Sequence, residues 1–257
     1  NLSMPTRSSA SGASLNARRS RVTPVILRNG FRPFFLAAAL WAAIAVPIWL
    51  TIAEGMFSWP SGFDGLDWHR HEMLFGFAAA GMAGFILTAI PNWTGRLPVR
   101  GWSLCGVVGL WLVGRIGYAA TSFVGPGPAA AADLAFPAVL SAMVLREILA
   151  GRNFRNLPIA GALTLFTTGN VLIHVEAVGF AQTADIGYRM SLYILMLMVA
   201  LIGGRVVPSF TRNWLAKHNR AASLAAQGRL DHVALGALAC YAIAAIAGAD
   251  ERMTASL

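Results

Sequence analysis

The chain has 257 residues, of which 56% are hydrophobic and 12% charged, and it carries a net charge of +9. An average soluble domain is about 25% charged, and half that charge cannot cover a soluble surface of this size. A soluble globular protein, a disordered chain and a nucleic-acid-binding domain are all excluded, although the basic balance alone would have suggested the last.

Residues 1–28 are polar, rich in Ser and Arg, and read as a disordered basic segment. No apolar stretch stands beside its charges, so it is not an ordinary signal peptide. Residues 29–249 then form the body, and residues 250–257 a short tail. Seven apolar segments make up the body, at about 33–53, 73–93, 102–124, 129–149, 157–179, 187–207 and 232–248. A helix of about 20 residues crosses a bilayer core of about 30 Å. The chain is therefore expected to be all-α, a polytopic membrane bundle of seven transmembrane helices.

Basic residues in the connecting loops set the orientation. Sixteen of the twenty fall in the N-terminal segment or in the loops after the second, fourth and sixth segments. Arg70, Arg189 and Arg252 lie on the other side, with Asp64, Asp67 and Asp185 among others. This split places the N-terminus in the cytoplasm. The second segment ends on Pro91-Asn92-Trp93-Thr94 and the sixth on Pro208-Ser209-Phe210-Thr211, a faint internal echo.

Cys105 and Cys240 lie in apolar runs, with no spacing that suits a disulfide framework or zinc. Histidine is more informative. His218 and His232 sit at basic or interfacial positions. His69 and His71 enter the second segment within Asp67-Trp68-His69-Arg70-His71-Glu72, with Asp67 as a candidate N-cap. On a helix their rings point about 200° apart, so they share a small site only if this turn is extended. His174 lies inside the fifth segment with Glu176 two residues on, and Arg115 interrupts the third. Ionisable groups at that depth are costly and usually face the bundle interior or a cavity. We therefore take His69, His71 and His174 as candidate metal ligands. Glu72 and Glu176 are their candidate hydrogen-bond partners, and Arg115 balances charge at a cofactor. Neutral imidazoles in an apolar bundle suit haem iron or copper better than hard cations. A purely structural reading has the same groups stitching helices together, with Arg115 paired to Glu176.

Several longer motifs resemble the NnrS family. They are Gly30-Phe31-Arg32-Pro33-Phe34-Phe35, Trp68-His69 with His71-Glu72-Met73-Leu74-Phe75-Gly76-Phe77, and Pro91-Asn92-Trp93-Thr94-Gly95-Arg96. Further on come Arg146-Glu147-Ile148 with Gly151-Arg152-Asn153, and the run from Ile202-Gly203-Gly204-Arg205 to Asn213-Trp214. The similarity covers roughly residues 28–216. It implies a bacterial inner-membrane protein with haem and copper, linked to nitric oxide stress and denitrification. It also implies a fold of about twelve helices. Seven are present here, without the family's later His-rich helix, so the chain reads as shortened and residues 250–257 as unmatched. Nitric oxide or a related small molecule is the expected partner beside the lipid bilayer, and nucleic acid is not expected. The alternative is a transporter of a small solute or metal ion that uses the intramembrane His, Glu and Arg.

Overall fold

A computed structural model of the chain describes residues 23–56, 63–218, 220 and 228–248. Most of the N-terminal segment (1–22) and the whole 250–257 tail lie outside these residues. Among the described residues, seven helices are long and apolar enough to cross a membrane. They are α1 (Phe31–Ala53), α2 (Gly65–Thr94), α3 (Trp102–Ala119), α4 (Pro126–Ala150), α5 (Leu157–Ala177), α6 (Ala184–Lys217) and α7 (Arg229–Ala247). No strand occurs among the described residues. The all-α polytopic architecture read from composition is thus the observed one.

Helices α3 to α7 pack as successive neighbours, while α2 lies against α1 and α4. α2 is the most enclosed, with half of its apolar window buried. It forms the centre through Phe75, Ala79, Ala83, Ile86 and Ile90. α1 and α7 are peripheral. α1 turns Leu36, Leu40 and Ile44 outward, each about half exposed. A stripe at four-residue spacing that faces away from the bundle is what lipid contact demands. In lipid, apolar burial does not drive helix pairing, so close packing and polar contacts hold the bundle.

Helix ends differ from the sequence reading where backbone chemistry overrides hydropathy. α3 stops at Ala119, and a single helical turn, Thr121–Val124, follows before Gly125 reverses the chain at φ +86°. α6 runs well beyond the apolar stretch, through Pro208 to Lys217. Asp64, not Asp67, caps α2, accepting the backbone N–H of Asp67 at 2.7 Å. The helix starts about two turns earlier than its apolar run because Gly65 to His71 is helical although mostly polar. Residues Val25–Leu27 form one 3-10 turn, held when Gly101 N–H donates to the Leu27 carbonyl.

At the basic end, two contacts tie the end of α2 and the residues after it to the end of α4 and its following loop. Arg96 pairs with Glu147, and the Asn153 amide donates to the Trp93 carbonyl. These are the residues of the Arg96 and Glu147-to-Asn153 motifs, so those motifs lock a loop junction.

Candidate metal centre

Near its acidic end, α2 departs from α geometry. Residues Glu72–Ala78 form a π-helical stretch, a feature that often marks functional sites. Two indoles brace it. Trp111 Nε1 donates to the Gly76 carbonyl at 3.0 Å, and Trp41 Nε1 donates to Glu72 Oε2 at 2.7 Å. Gly76 has no side chain because none fits: a Cβ there would lie 2.7 Å from Glu72 Oε2 and against the Trp41 ring. Gly76→Ala is therefore expected to push Trp41 off Glu72. Tryptophan fluorescence and the melting temperature of the detergent-solubilised protein check this. The expected change is a loss of roughly 1–3 kcal/mol from overpacking.

The wide turn directs both His71 and Glu72 into the bundle, where both are fully buried. Arg115 on α3 reaches them from the other side. Its NH1 donates to both Glu72 carboxylate oxygens at 2.8 Å, and its NH2 pairs with Asp133 Oδ1 on α4. The backbone geometry permits this because Gly114, next to Arg115, sits flush against the α4 chain. A Cβ on Gly114 would come within 3.2 Å of the Asp133 Cα.

Asp133 is the hub. Its Oδ2 accepts the Asn170 amide at 2.7 Å and faces His174 Nε2 at 2.9 Å and His71 Nε2 at 3.1 Å. The Asn170 carbonyl oxygen lies 3.1 Å from the same His71 nitrogen. This pattern fixes Nε2–H on both imidazoles when they are neutral. His174 Nδ1 is then buried with no hydrogen-bond partner among the described residues. His71 Nδ1 lies 3.5 Å from Glu72 Oε1. Tyr118 stacks on His71, with centroids 3.6 Å apart and planes 8° apart, and Phe75 packs beside the same ring at 4.9 Å.

The charge count is the central property of this cluster. Glu72 and Asp133 supply two negative charges and Arg115 one positive, all at 2% exposure or less. With neutral imidazoles the group holds one uncompensated negative charge. A buried net charge is expensive in a low-dielectric interior. One more positive charge therefore balances the cluster: a proton on an imidazole or on a carboxylate, or a metal cation.

The sequence-selected residues divide. His71, His174, Arg115 and Glu72 meet in the cluster. His69 does not: its ring stacks on Trp49 of α1 at 4.0 Å. The two-residue offset on a true helix turns it away from His71, as the 200° argument requires. Glu176 also stands apart, accepting the backbone N–H of Ala184 at the start of α6. Arg115 thus pairs with Glu72 and Asp133 rather than with Glu176. In the sequence Asp133 stands in the fourth apolar run, but its nearness to the segment end gives it the look of a loop charge. Asn170, Tyr118 and Trp41 carry no signal there, since such residues are ordinary in membrane helices.

Fold and site together define a polytopic all-α membrane protein with a buried histidine–carboxylate centre near its acidic end. The chain belongs to the NnrS family, whose model, described as NnrS protein, matches residues 25–257. The match extends beyond the 28–216 expected from the motifs. It includes residues 250–257, against the expectation that they lack a counterpart. Comparison with curated proteins and with solved structures gave no match.

Haem and copper are the groups that the family resemblance implies, and the residues can be tested against each. One ligand atom from each of His71, Asp133 and His174 lies within 4.8 Å of the other two. Two imidazoles and a carboxylate form a donor set that copper accepts, as do zinc and non-haem iron. A monovalent copper ion would also cancel the uncompensated charge, so the residues present fit copper. A haem does not fit at this position: Tyr118 and Phe75 pack against His71, and its Nε2 faces Asp133 and Asn170.

Proposed function

We propose that this membrane protein holds a copper ion at His71, Asp133 and His174 and acts in the bacterial response to nitric oxide, in the cytoplasmic membrane. The observation that carries this reading is the buried charge deficit of the cluster together with two imidazoles aimed at one carboxylate oxygen. Copper would supply a redox-active site for a small diatomic ligand. The chain's own residues set its surroundings. Arg115 holds the Glu72 and Asp133 carboxyl groups in place, and Asn170 orients the shared carboxylate. Tyr118 and Phe75 shield His71 from water. Haem, where the family resemblance implies it, needs a site other than this cluster.

The test is copper analysis with an optical spectrum on the purified chain from copper- and haem-replete cells. His71→Ala and His174→Ala are each expected to lower copper content by about tenfold or more, since losing even a residue that only supports a ligand costs about that much, while His69→Ala leaves it unchanged. Copper that survives both of the first two substitutions contradicts the proposed site.

A second reading, a cation transporter, is favoured by one observation. A cavity of about 470 Å³ at the acidic end is lined by Asp67, Glu176 and Tyr188, and Ile173, adjacent to His174, borders it. Proteoliposome uptake of copper or protons separates the readings: transport without retained copper supports this one.

A further inference from the structure

A different cavity, at the opposite end of the bundle, gathers the motifs that the metal centre leaves unused. It measures about 460 Å³ and lies between α1, α2, α5 and α6. Phe31 and Phe35 come from the Gly30-to-Phe35 motif, and Asn92 and Trp93 from the end of α2. Ser209 and Phe210 come from the matching tetrapeptide of α6. The echo between Pro91-Asn92-Trp93-Thr94 and Pro208-Ser209-Phe210-Thr211 thus has a spatial meaning. Each copy places one polar and one aromatic residue on the wall of the same cavity.

Among the described residues, the cavity is lined by one formal charge, Arg205, and by no carboxylate. Arg205 NH1 donates to Asn156 Oδ1 at 3.1 Å, but its Nε is buried without a hydrogen-bond partner among the described residues. The positive charge of Arg155 lies close enough to act on it. Apolar walls, a cation with a spare buried N–H and hydroxyl and amide groups beside it make a receptor for an amphiphile with an anionic head. Among the described residues, no His, Cys, Met or Tyr lines the cavity, so these offer no axial ligand to haem iron. Basic pockets between transmembrane helices on the cytoplasmic side are known settings for anionic lipid headgroups. Sixteen of the twenty basic residues mark this end of the chain as the cytoplasmic one.

We propose that this cavity is a specific site for an anionic phospholipid of the cytoplasmic leaflet. Arg205 binds the phosphate, Asn92 and Ser209 bind oxygens of the head region, and the phenylalanines hold the start of an acyl chain. The site is separate from the metal centre, and its occupancy does not depend on copper.

The test uses the full chain, purified and stripped of lipid, then mixed with equal amounts of phosphatidylglycerol and phosphatidylcholine in detergent micelles. Retained lipid is read by native mass spectrometry. The expected result is a preference for phosphatidylglycerol of about tenfold or more, in line with a charge-assisted contact to the phosphate. Arg205→Gln should lower phosphatidylglycerol retention about tenfold without changing phosphatidylcholine. Ala89→Phe, which fills the cavity without altering charge, should lower phosphatidylglycerol retention as well. Equal retention of the two lipids by the native chain overturns the proposal. So does unchanged phosphatidylglycerol in both variants, or displacement of the lipid by an equal amount of a neutral quinone. A melting temperature for each variant separates a lost site from a lost fold, and either variant that folds suffices for the decision.

Discussion

Arg115→Leu is expected to be the most damaging single change in the bundle. Arg115 is the fixed cation that faces two fully buried carboxylates, Glu72 and Asp133. Its removal raises the buried deficit from one negative charge to two. Breaking a buried ion pair in this way costs about 3–5 kcal/mol. That is a large part of the total stability of most domains. The yield of folded protein in detergent and its melting temperature measure the effect. A second substitution isolates the effect of charge. Arg115→Leu combined with Glu72→Gln restores the native net charge, so the pair should be markedly more stable than Arg115→Leu alone. Such non-additivity is the expected signature of groups in one network. A melting temperature for Arg115→Leu equal to that of the native protein would sink the account.

Asp133→Asn should act in the opposite way, sparing the fold and removing the metal. The substitution keeps the shape of the side chain and brings the cluster's formal charge to zero, so no extra cation is called for. The carboxamide oxygen that replaces one carboxylate oxygen can still accept from Arg115. The remaining donor conflict is relieved when an imidazole shifts its proton to Nδ1, which is unpartnered on His174. The stability cost should stay near about 1–2 kcal/mol, the cost of imperfect hydrogen bonding. Copper affinity, by contrast, should fall at least about 100-fold, the upper end of what losing a mere supporting residue costs. Copper content and melting temperature of one preparation decide the matter. A variant that unfolds while retaining its copper would contradict both halves of the expectation.

Much of this is legible in the sequence, for a definite reason. In a bilayer every backbone group must be satisfied within a helix, so scarcity of charge translates directly into spans. The few ionisable residues left inside the spans then stand out, and Arg115 and His174 are recognisable that way, whereas His71 and Glu72 are noticed as a polar entrance to the second span. The sequence misleads where neighbourhood along the chain stands in for neighbourhood in space. His69 lies two residues from His71, and Glu176 two from His174, yet a helix turns each of them out of the cluster. Asp133 is hidden by its position near a segment end, whereas α4 begins at Pro126 and carries it well inside. The π-helical stretch after His71 has no sequence mark at all. Only its braces, Trp41 and Trp111, explain it, and they come from two other helices.

The central claim is that two imidazoles and one carboxylate of this chain hold copper. X-ray absorption at the copper edge of the purified native chain tests it most directly. The predicted result is a first shell of nitrogen and oxygen with the outer-shell pattern of two imidazoles, lost in Asp133→Asn. Sulfur ligation from cysteine or methionine would contradict the account, as would a native preparation without copper.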